Sequence, residues 1–310
     1  MNIQQFKYVL AVVESENFEA AAEKCFVTQS TLSTMIGKFE QEIGIKVFNR
    51  KTKPVSITKE GIQIIEKLTI INNEINQLNY LTQELKGEMV GNLNIGIIPT
   101  IAPDLIPLFF RQFVSSFSKM NITIEEMTTA QIEKALLSKS IDIGIAALPL
   151  GNANFNEIEL YQEPFLIYDS RTNKYAKKVK VSELDYENLS LLNEGHCLRS
   201  QVLKICELSN LKAKEKRKYE FKSGSLDSLV KMTNAEKTLT LIPQLYANNL
   251  NESLKIKIVQ FKAPIPIRQV GLITHNDFVK KIVLQKLKTI IEEAVKPMLK
   301  TKQEFIHIDI

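Results

Sequence analysis

Three short helical patterns separated by tight turns fill the first 44 residues, and this arrangement constrains the fold more than any other feature of the chain. Apolar residues recur with helical spacing from Ile3 to Val13 and predict a first helix. Asn17 can cap a second helix and Thr28 can cap a third, and Gly44 can end that third helix. The order of a short helix, a tight turn and a longer helix predicts a helix-turn-helix.

The predicted third helix carries short polar side chains over its first two turns and apolar ones on its other face. Such a polar N-terminus suits the edges of bases in the major groove of DNA. A three-helix core whose polar face merely meets water would produce the same pattern, and both interpretations stay open from spacing alone. The candidate DNA-binding residues on this helix are Gln29, Ser30, Thr31, Ser33, Thr34 and Lys38.

A basic turn follows the third helix. The net charge of +5 is mild, but five cations lie between residues 46 and 59 with no acid before Glu60. Two short β-prone pieces flank Pro54 and predict a wing, whose cations would meet DNA phosphates. A solvated basic loop is the alternative. The candidate phosphate contacts are Arg50, Lys51 and Lys53.

This segment resembles the winged helix-turn-helix of LysR-type transcriptional regulators. The resemblance is carried by Phe18, Ala21, Ala22, Gln29, Ser30, Leu32, Ser33, Ile36, Phe39, Glu40, Ile43, Gly44, Phe48 and Arg50. Phe39 and Ile43 stand where the family usually has leucine. The resemblance implies binding to double-stranded promoter DNA, with the polar residues of the third helix near bases or phosphates and Arg50 holding the backbone in the wing.

An apolar stripe with steps of three and four residues predicts one helix from Glu60 to about Lys86, some 40 Å long. A lone helix of this kind must bury its stripe against a partner. The family resemblance implies a linker helix that pairs with the same helix of a second subunit, and a dimer of dimers as the homo-oligomer. We therefore expect a DNA-binding domain at residues 1–59 and a linker and dimerisation helix at 60–88.

Short apolar strands alternate with helical patterns after Gly91, which predicts an α/β regulatory domain with largely parallel sheets. The predicted strands are Leu93–Ile98, Ile122–Met127, Asp142–Ala147, Phe165–Asp169, Ser190–Leu192, Tyr219–Phe221, Thr238–Ile242, Ile256–Phe261 and Gln269–Thr274. The resemblance implies two subdomains like those of periplasmic binding proteins. Their expected bounds are residues 89–163 with 268–310, and residues 164–267.

Cys197 and Cys206 lie nine residues apart in a segment that predicts a helix. Nine helical residues rise about 13 Å, whereas a disulfide needs Cα atoms about 4.4–6.8 Å apart. The pair can therefore join only if the helix unwinds, as in a redox switch. Two inert, buried thiols are the alternative. The start of the chain lacks a secretion signal and only three cysteines occur, which predicts the reducing cytoplasm.

The run from Gly195 through Cys197 and Gln201 to Cys206 resembles the sensing segment of the peroxide-responsive members of the same family. The resemblance implies that Cys197 attacks hydrogen peroxide and that Cys206 resolves the product as a disulfide. It also implies a peroxide pocket formed by Thr100, Thr129, His196 and Arg268. By their residue types alone, the threonines are equally helix caps or loop hydroxyls, and Arg268 equally a surface residue. A helix N-terminus, with His196 and Arg199 nearby, would favour the thiolate of Cys197.

One departure from the family is the stretch Asn234–Lys237, where a glycine-containing turn is usual. Cys25 lies beside an alanine-rich helix and is expected to be a buried structural thiol. His275 and His307 have no partners at metal-ligand spacing, and no phosphate-binding loop or catalytic triad is recognisable. We therefore expect no metal, no cofactor and no enzymatic activity.

The sequence thus predicts a cytoplasmic regulator without a membrane segment, because no run of about 18 apolar residues occurs. The resemblance adds RNA polymerase as a further partner and glutathione or a glutaredoxin-type protein as the reductant. Two other functions remain open. One is a LysR-type regulator that binds a small-molecule inducer in its cleft and has redox-silent cysteines; the other is a thiol peroxidase.

Overall fold

The structure, a computed structural model, describes residues 1–171, 178–193, 197–207, 224–299 and 304–309, with the side chains of residues 206 and 207 left undescribed. The chain divides into two compact units. One comprises Met1–Glu88 with Ser138–Ser140, and the other comprises Met89–Leu137 with Ile141–Ile310.

Four helices and a two-stranded hairpin form the first unit. They are α1 (Ile3–Ser15), α2 (Phe18–Lys24), α3 (Gln29–Ile43), β1 (Phe48–Asn49), β2 (Ser56–Ile57) and α4 (Lys59–Leu85). The predicted caps are confirmed. Asn17 accepts hydrogen bonds from the backbone of Glu19 and Ala20, and Thr28 accepts one from Thr31. Gly44 ends α3 with a φ of 71°, a left-handed conformation that glycine adopts without strain.

The core of the first unit is built from the apolar faces of α1, α2 and α3. Ala21 and Leu32 are completely buried, which allows α2 and α3 to approach closely. Val47 at the start of the hairpin and Leu68 of α4 belong to the same core. The polar face of α3 is left free for another role because its apolar face is fully used.

The second unit alternates strands and helices from residue 91 onward. Its strands are β3 (Gly91–Ile97), β4 (Met120–Glu126), β5 (Ile143–Leu148), β6 (Phe155–Asp169), β7 (Lys178–Val179), β8 (Leu239–Pro243), β9 (Ile258–Phe261), β10 (Ile265–His275) and β11 (Phe305–His307). Its helices are α5 (Ala102–Ser116), α6 (Thr129–Leu137), α7 (Cys197–Glu207), α8 (Leu226–Ala235), α9 (Gln244–Asn249), α10 (Glu252–Lys255) and α11 (Lys281–Val295).

The sheet of the second unit is mixed, so the α/β class is confirmed but the expectation of largely parallel sheets is wrong. The strand order is β4-β3-β5-β10-β6-β9-β7, with β11 beside β10 and β8 beside β6. β3 pairs in parallel with β4 and β5. The long strands β6 and β10 pair antiparallel with each other, and the second half of β6 pairs antiparallel with β8 and β9. The two long strands thus connect both parts of the sheet.

Two predicted strands and one turn of the second unit have separate outcomes. The strand predicted at Ser190–Leu192 is wrong, because these residues form no ladder, and the isolated bridge next to them joins Leu189 to Leu239. The Thr240 hydroxyl donates to the carbonyl of Ser190, in place of a continued ladder. The strand predicted at 219–221 lies outside the described residues. In the turn that lacks the usual glycine, Lys237 adopts a φ of 50°, which is costly for a residue with a side chain.

Candidate nucleic-acid interface and thiol site

The polar face of α3 is accessible along the helix. Ser33 is half-buried, and its neighbours Leu32 and Ile36 point into the core. The Thr28 hydroxyl lies within hydrogen-bond distance of the hydroxyls of Ser30 and Thr31 at the start of the helix. The exposed candidates on α3 and the wing are Gln29, Ser30, Thr31, Thr34, Lys38, Arg50, Lys51 and Lys53.

Arg50 and Glu40 connect the wing to α3. Arg50 donates from Nη1 to the Ser33 hydroxyl at 2.8 Å and from Nη2 to Glu40 at 3.3 Å. Its guanidinium also lies 4.9 Å from the centre of the Phe18 ring. The buried carboxylate of Glu40 accepts the backbone N–H groups of Val47 and Phe48. Sequence reasoning missed this role of Glu40, although an acid between Ile36 and Ile43 on an apolar face was a signal.

Cys197 is the first residue of α7 and only 6% exposed. The side chains that shift the pKa of its thiol come from different elements of the fold. Thr129 begins α6, directly after β4, and Arg268 lies on β10. Thr100 follows β3, and its hydroxyl accepts a hydrogen bond from Arg268. The structure therefore brings together Thr100, Thr129, Cys197 and Arg268 near the carboxyl ends of the parallel strands β3 and β4.

Arg268 is 1% exposed, so the surface role left open for it is wrong. Its Nη1 donates to the Thr100 hydroxyl at 3.3 Å and its Nη2 to the Thr100 carbonyl at 3.2 Å. Nε and Nη2 donate to Oε2 of Glu163 at 2.9 and 2.7 Å. Glu163 is fully buried and also accepts the backbone N–H of Leu245 at the start of α9, at 2.8 Å. Sequence reasoning did not assign Glu163 to the site.

Burial raises the pKa of the Cys197 thiol above its ordinary value. Three influences act in the opposite direction: the Arg268 charge, the Thr129 hydroxyl, and the backbone N–H groups at the start of α7. They offset the desolvation only in part, so the pKa of Cys197 stays above that of an ordinary cysteine. The expectation that the helix N-terminus would favour a thiolate identified a real influence but missed the larger effect of burial.

The Thr129 hydroxyl is buried and has no hydrogen-bond partner of ordinary length within the described part of the chain. The Thr129 hydroxyl is close enough to the Cys197 sulfur to lower the pKa of that thiol, but the sulfur is not its hydrogen-bond partner. A buried hydroxyl without a partner costs free energy, unless a ligand or water completes it. Thr129 thus provides an open hydrogen-bonding position beside the thiol.

The prediction that one helix carries both cysteines of the pair is confirmed for the backbone. α7 is continuous from Cys197 to Glu207, so the Cα atoms of Cys197 and Cys206 are separated by about 13 Å along its axis. Cys197 is a free thiol here. His196 and the side chain of Cys206 lie outside the described residues. Cys25 is half-exposed rather than buried as expected.

Within the described ranges, no three His, Cys, Asp or Glu side chains are grouped so that they could hold a metal ion. A search of the same ranges finds no helix that combines the length and the apolar character needed to cross a bilayer.

Comparison with known families decides the affiliation of the chain. The family described as LysR substrate binding domain matches residues 86–296. The family described as bacterial regulatory helix-turn-helix protein, lysR family, matches residues 3–62. The chain belongs to the LysR family of transcriptional regulators. The helix-turn-helix of the first unit is thus a LysR-family DNA-binding domain, and the predicted family resemblance and fold class are confirmed.

Individual LysR-family relatives extend this similarity over most of the chain. The hydrogen peroxide-inducible genes activator of Dickeya chrysanthemi is 32% identical over 247 residues, which cover 79% of this chain and 80% of the relative. The DNA-binding transcriptional dual regulator OxyR of Escherichia coli strain K12 is 30% identical over 275 residues, covering 88% and 89%. A full-length OxyR variant from Pseudomonas aeruginosa matches the structure with a TM-score of 0.76 and 26% identity, covering 94% of this chain and 98% of that one. The chain is therefore an OxyR-like member of the LysR family.

Proposed function

We propose that this LysR-family regulator senses hydrogen peroxide through Cys197 and controls genes of oxidative-stress defence. The observation that carries the proposal is the surroundings of the Cys197 sulfur. A buried cation, Arg268, and a buried hydroxyl without a partner, Thr129, lie beside it. Such groups suit a small, uncharged molecule that both donates and accepts hydrogen bonds. Two relatives, which are named as a hydrogen peroxide-inducible genes activator and as OxyR, support hydrogen peroxide as the signal.

The chemistry begins when the Cys197 thiolate attacks one oxygen of hydrogen peroxide. The O–O bond breaks, the sulfur becomes a sulfenic acid, and the other oxygen leaves as hydroxide, which takes up a proton to form water. Arg268, Thr100 and Thr129 would orient the peroxide and stabilise the departing oxygen, as would His196. The Cys206 thiol then attacks the sulfenic acid, which releases water and leaves a Cys197–Cys206 disulfide. Two thiols of glutathione, or a glutaredoxin-type protein, would return the two electrons.

Disulfide formation would require α7 to unwind, and the structure shows what opposes this step. Leu198, Val202 and Ile205 of α7 belong to the core of this part of the unit. Gln201 is buried and donates from Nε2 to the carbonyl of Ile308 at 3.0 Å. The C-terminal segment thus anchors α7 while β11 extends the sheet beside β10. Oxidation would have to break these contacts, so the change could spread to the surface of the unit.

The same proposal assigns the remaining parts of the chain. Residues 1–59 would bind promoter DNA, and the helix of residues 60–88 would pair with that of a second subunit. Residues 89–310 would sense peroxide, with subdomains at 89–163 plus 268–310 and at 164–267. Repacking between subunits of a dimer of dimers would change the spacing of the DNA-binding domains and the contact with RNA polymerase.

The test is a peroxide titration of the purified full-length protein on its promoter DNA, followed by footprinting. We expect substoichiometric to equimolar peroxide to alter the footprint, and a thiol reductant to restore it. A footprint that ignores peroxide but responds to a small organic inducer would favour the inducer-binding alternative. Sustained peroxide consumption that persists after deletion of residues 1–86 would favour a thiol peroxidase.

Thr129→Val should slow oxidation of Cys197 by about 10- to 100-fold at neutral pH, because the hydroxyl that orients peroxide is lost. Valine has nearly the same shape and leaves no donor unsatisfied. The unfolding midpoint should therefore stay the same or rise slightly. Peroxide kinetics and thermal unfolding of the same samples check both results. Thr123→Val, at an exposed position of β4, is the control, and equal rates in both variants would contradict the role of Thr129.

Arg50→Ala should weaken binding to promoter DNA by roughly tenfold and reduce the salt slope of log K by about one, because one cation near the phosphates is lost. The loss of the Ser33 contact should also disturb α3. Arg50→Lys keeps the charge but not the fork geometry, and an intermediate affinity is expected. Fluorescence anisotropy at several salt concentrations measures both quantities. An unchanged salt slope in Arg50→Ala would show that Arg50 has only a structural role.

A further inference from the structure

Glu163 and Cys197 face the same buried cation. Within the described residues, the buried titratable groups around Arg268 on β10 are Cys197 on α7, Glu163 and Tyr161 on β6, and Asp104 on α5. Asp227 on α8 and Tyr246 on α9 lie beyond them and hydrogen-bond each other at 2.8 Å. Arg268 is the cation of this set, and it interacts with both Glu163 and the Cys197 sulfur.

Glu163 holds Arg268 by two hydrogen bonds to one carboxylate oxygen, at 2.7 and 2.9 Å. Its other oxygen accepts the N–H of Leu245 at 2.8 Å, so the carboxylate itself cannot swing away without losing a backbone partner. The remaining Nη1 and Nη2 donors reach Thr100. The guanidinium is therefore fixed beside the thiol by an acid that does not itself need to touch peroxide.

We propose that Glu163 is a positioning residue that fixes Arg268 at the peroxide site and competes with the Cys197 sulfur as the counter-ion of that guanidinium. Because Glu163 already neutralises Arg268, the trio of Glu163, Arg268 and Cys197 is uncharged when Cys197 is a thiol and carries one negative charge when it is a thiolate. A buried unpaired charge is costly, so the resting site retains the thiol. Glu163 thus sets how readily the sensor responds.

Removal of the Glu163 charge reverses which form of Cys197, thiol or thiolate, leaves these groups without a net charge. In Glu163→Gln, the site carries one positive charge with the thiol and is neutral with the thiolate, so Cys197 becomes the counter-ion of Arg268. An opposite charge at close range shifts a pKa by about 1–3 units. We therefore expect Cys197 to be oxidised faster in Glu163→Gln than in the wild type. If Glu163 had only a structural role, loss of its contacts would slow the oxidation of Cys197.

The experiment compares full-length wild-type protein and Glu163→Gln across pH. Carboxamidomethylation of Cys197 by iodoacetamide, quantified on the Cys197 peptide by mass spectrometry, reports the thiolate without peroxide. We expect the midpoint of the pH profile to fall by at least about one unit, and both alkylation and peroxide oxidation at neutral pH to rise about tenfold. An unchanged midpoint, with or without slower reaction, would overturn the proposal.

Asp142→Asn is the matched control. Asp142 forms another ion pair of this unit, with Lys280, but it precedes β5 and so lies at the end of the strands opposite Thr100 and Thr129. The pH profile of Cys197 alkylation in Asp142→Asn should equal that of the wild type. If Glu163→Gln does not fold, Glu163→Asp keeps the acid one methylene further away. The midpoint should then fall by a smaller amount, and no fall would overturn the proposal.

This proposal rests on peroxide being the signal that Cys197 receives, but the two fail differently. If wild-type Cys197 is alkylated yet does not react with peroxide, the sensing function fails while the alkylation profiles still test Glu163. If wild-type Cys197 reacts with peroxide but Glu163→Gln keeps the wild-type midpoint, only the role of Glu163 fails.

Discussion

Cys197→Ser is expected to abolish the response to peroxide while promoter binding by the reduced protein stays intact. A serine hydroxyl does not ionise near neutral pH and cannot form a sulfenic acid or a disulfide. Loss of the nucleophile should lower the oxidation rate at this position by at least about 10³-fold. Serine is small and fits the first turn of a helix, so α7 should keep its reduced form. The footprint on promoter DNA, with and without peroxide, measures the effect.

Cys25→Ser is the natural control for that variant. Cys25 belongs to the first unit, at the end of α2, and packs half-exposed against the core of α1–α3. Its replacement should leave the peroxide response unchanged. A Cys197→Ser protein that shows the oxidised footprint without peroxide, or that still responds to it, would contradict the role of Cys197.

Oxidation of Cys197 should accelerate about tenfold for each pH unit between about pH 6 and about pH 8. The reacting species is the thiolate, and burial raises the pKa of Cys197 above the ordinary cysteine value. Below that pKa, the thiolate fraction rises tenfold per unit, and acidification lowers the rate by the same factor. Over these two pH units the rate should therefore change about 10²-fold, without a plateau.

Stopped-flow kinetics on the full-length protein provide this measurement, and Glu163→Gln provides the comparison. In the variant, the profile should reach its plateau at lower pH, because Arg268 then lacks its carboxylate partner. A plateau below about pH 8 in the wild type would contradict a raised pKa. It would show instead that Arg268, Thr129 and the start of α7 outweigh the burial of the sulfur.

Local signals made the first unit predictable from sequence. Asn17, Thr28 and Gly44 cap their helices as their residue types predict, since a cap depends on neighbours within three or four residues. The continuous α7 was predictable for the same reason. The stretch Ser190–Leu192 was mispredicted as a strand because its apolar residues fit a strand, but the single bridge next to it is made by Leu189.

The thiol site depends on long-range contacts, and these were less accessible to sequence reasoning. Arg268 hydrogen-bonds Glu163, from which it is separated by 105 positions in the sequence, and Thr100, from which it is separated by 168. Family resemblance placed Thr100, Thr129 and Arg268 at the site, but it gave no reason to consider Glu163. The sheet explains the omission. Arg268 and Glu163 are register partners on the antiparallel strands β10 and β6, a pairing that the expected parallel sheet did not contain.

Disulfide mapping by mass spectrometry, before and after native peroxide treatment, tests the central claim most directly. Free thiols are blocked, the protein is digested, and the Cys197 and Cys206 peptides are identified. We expect both peptides to be blocked separately before treatment, since α7 holds the two Cα atoms about 13 Å apart. After treatment we expect one cross-linked Cys197–Cys206 species that parallels the change in promoter occupancy. Two free thiols after treatment, together with unchanged occupancy, would contradict peroxide sensing through this pair.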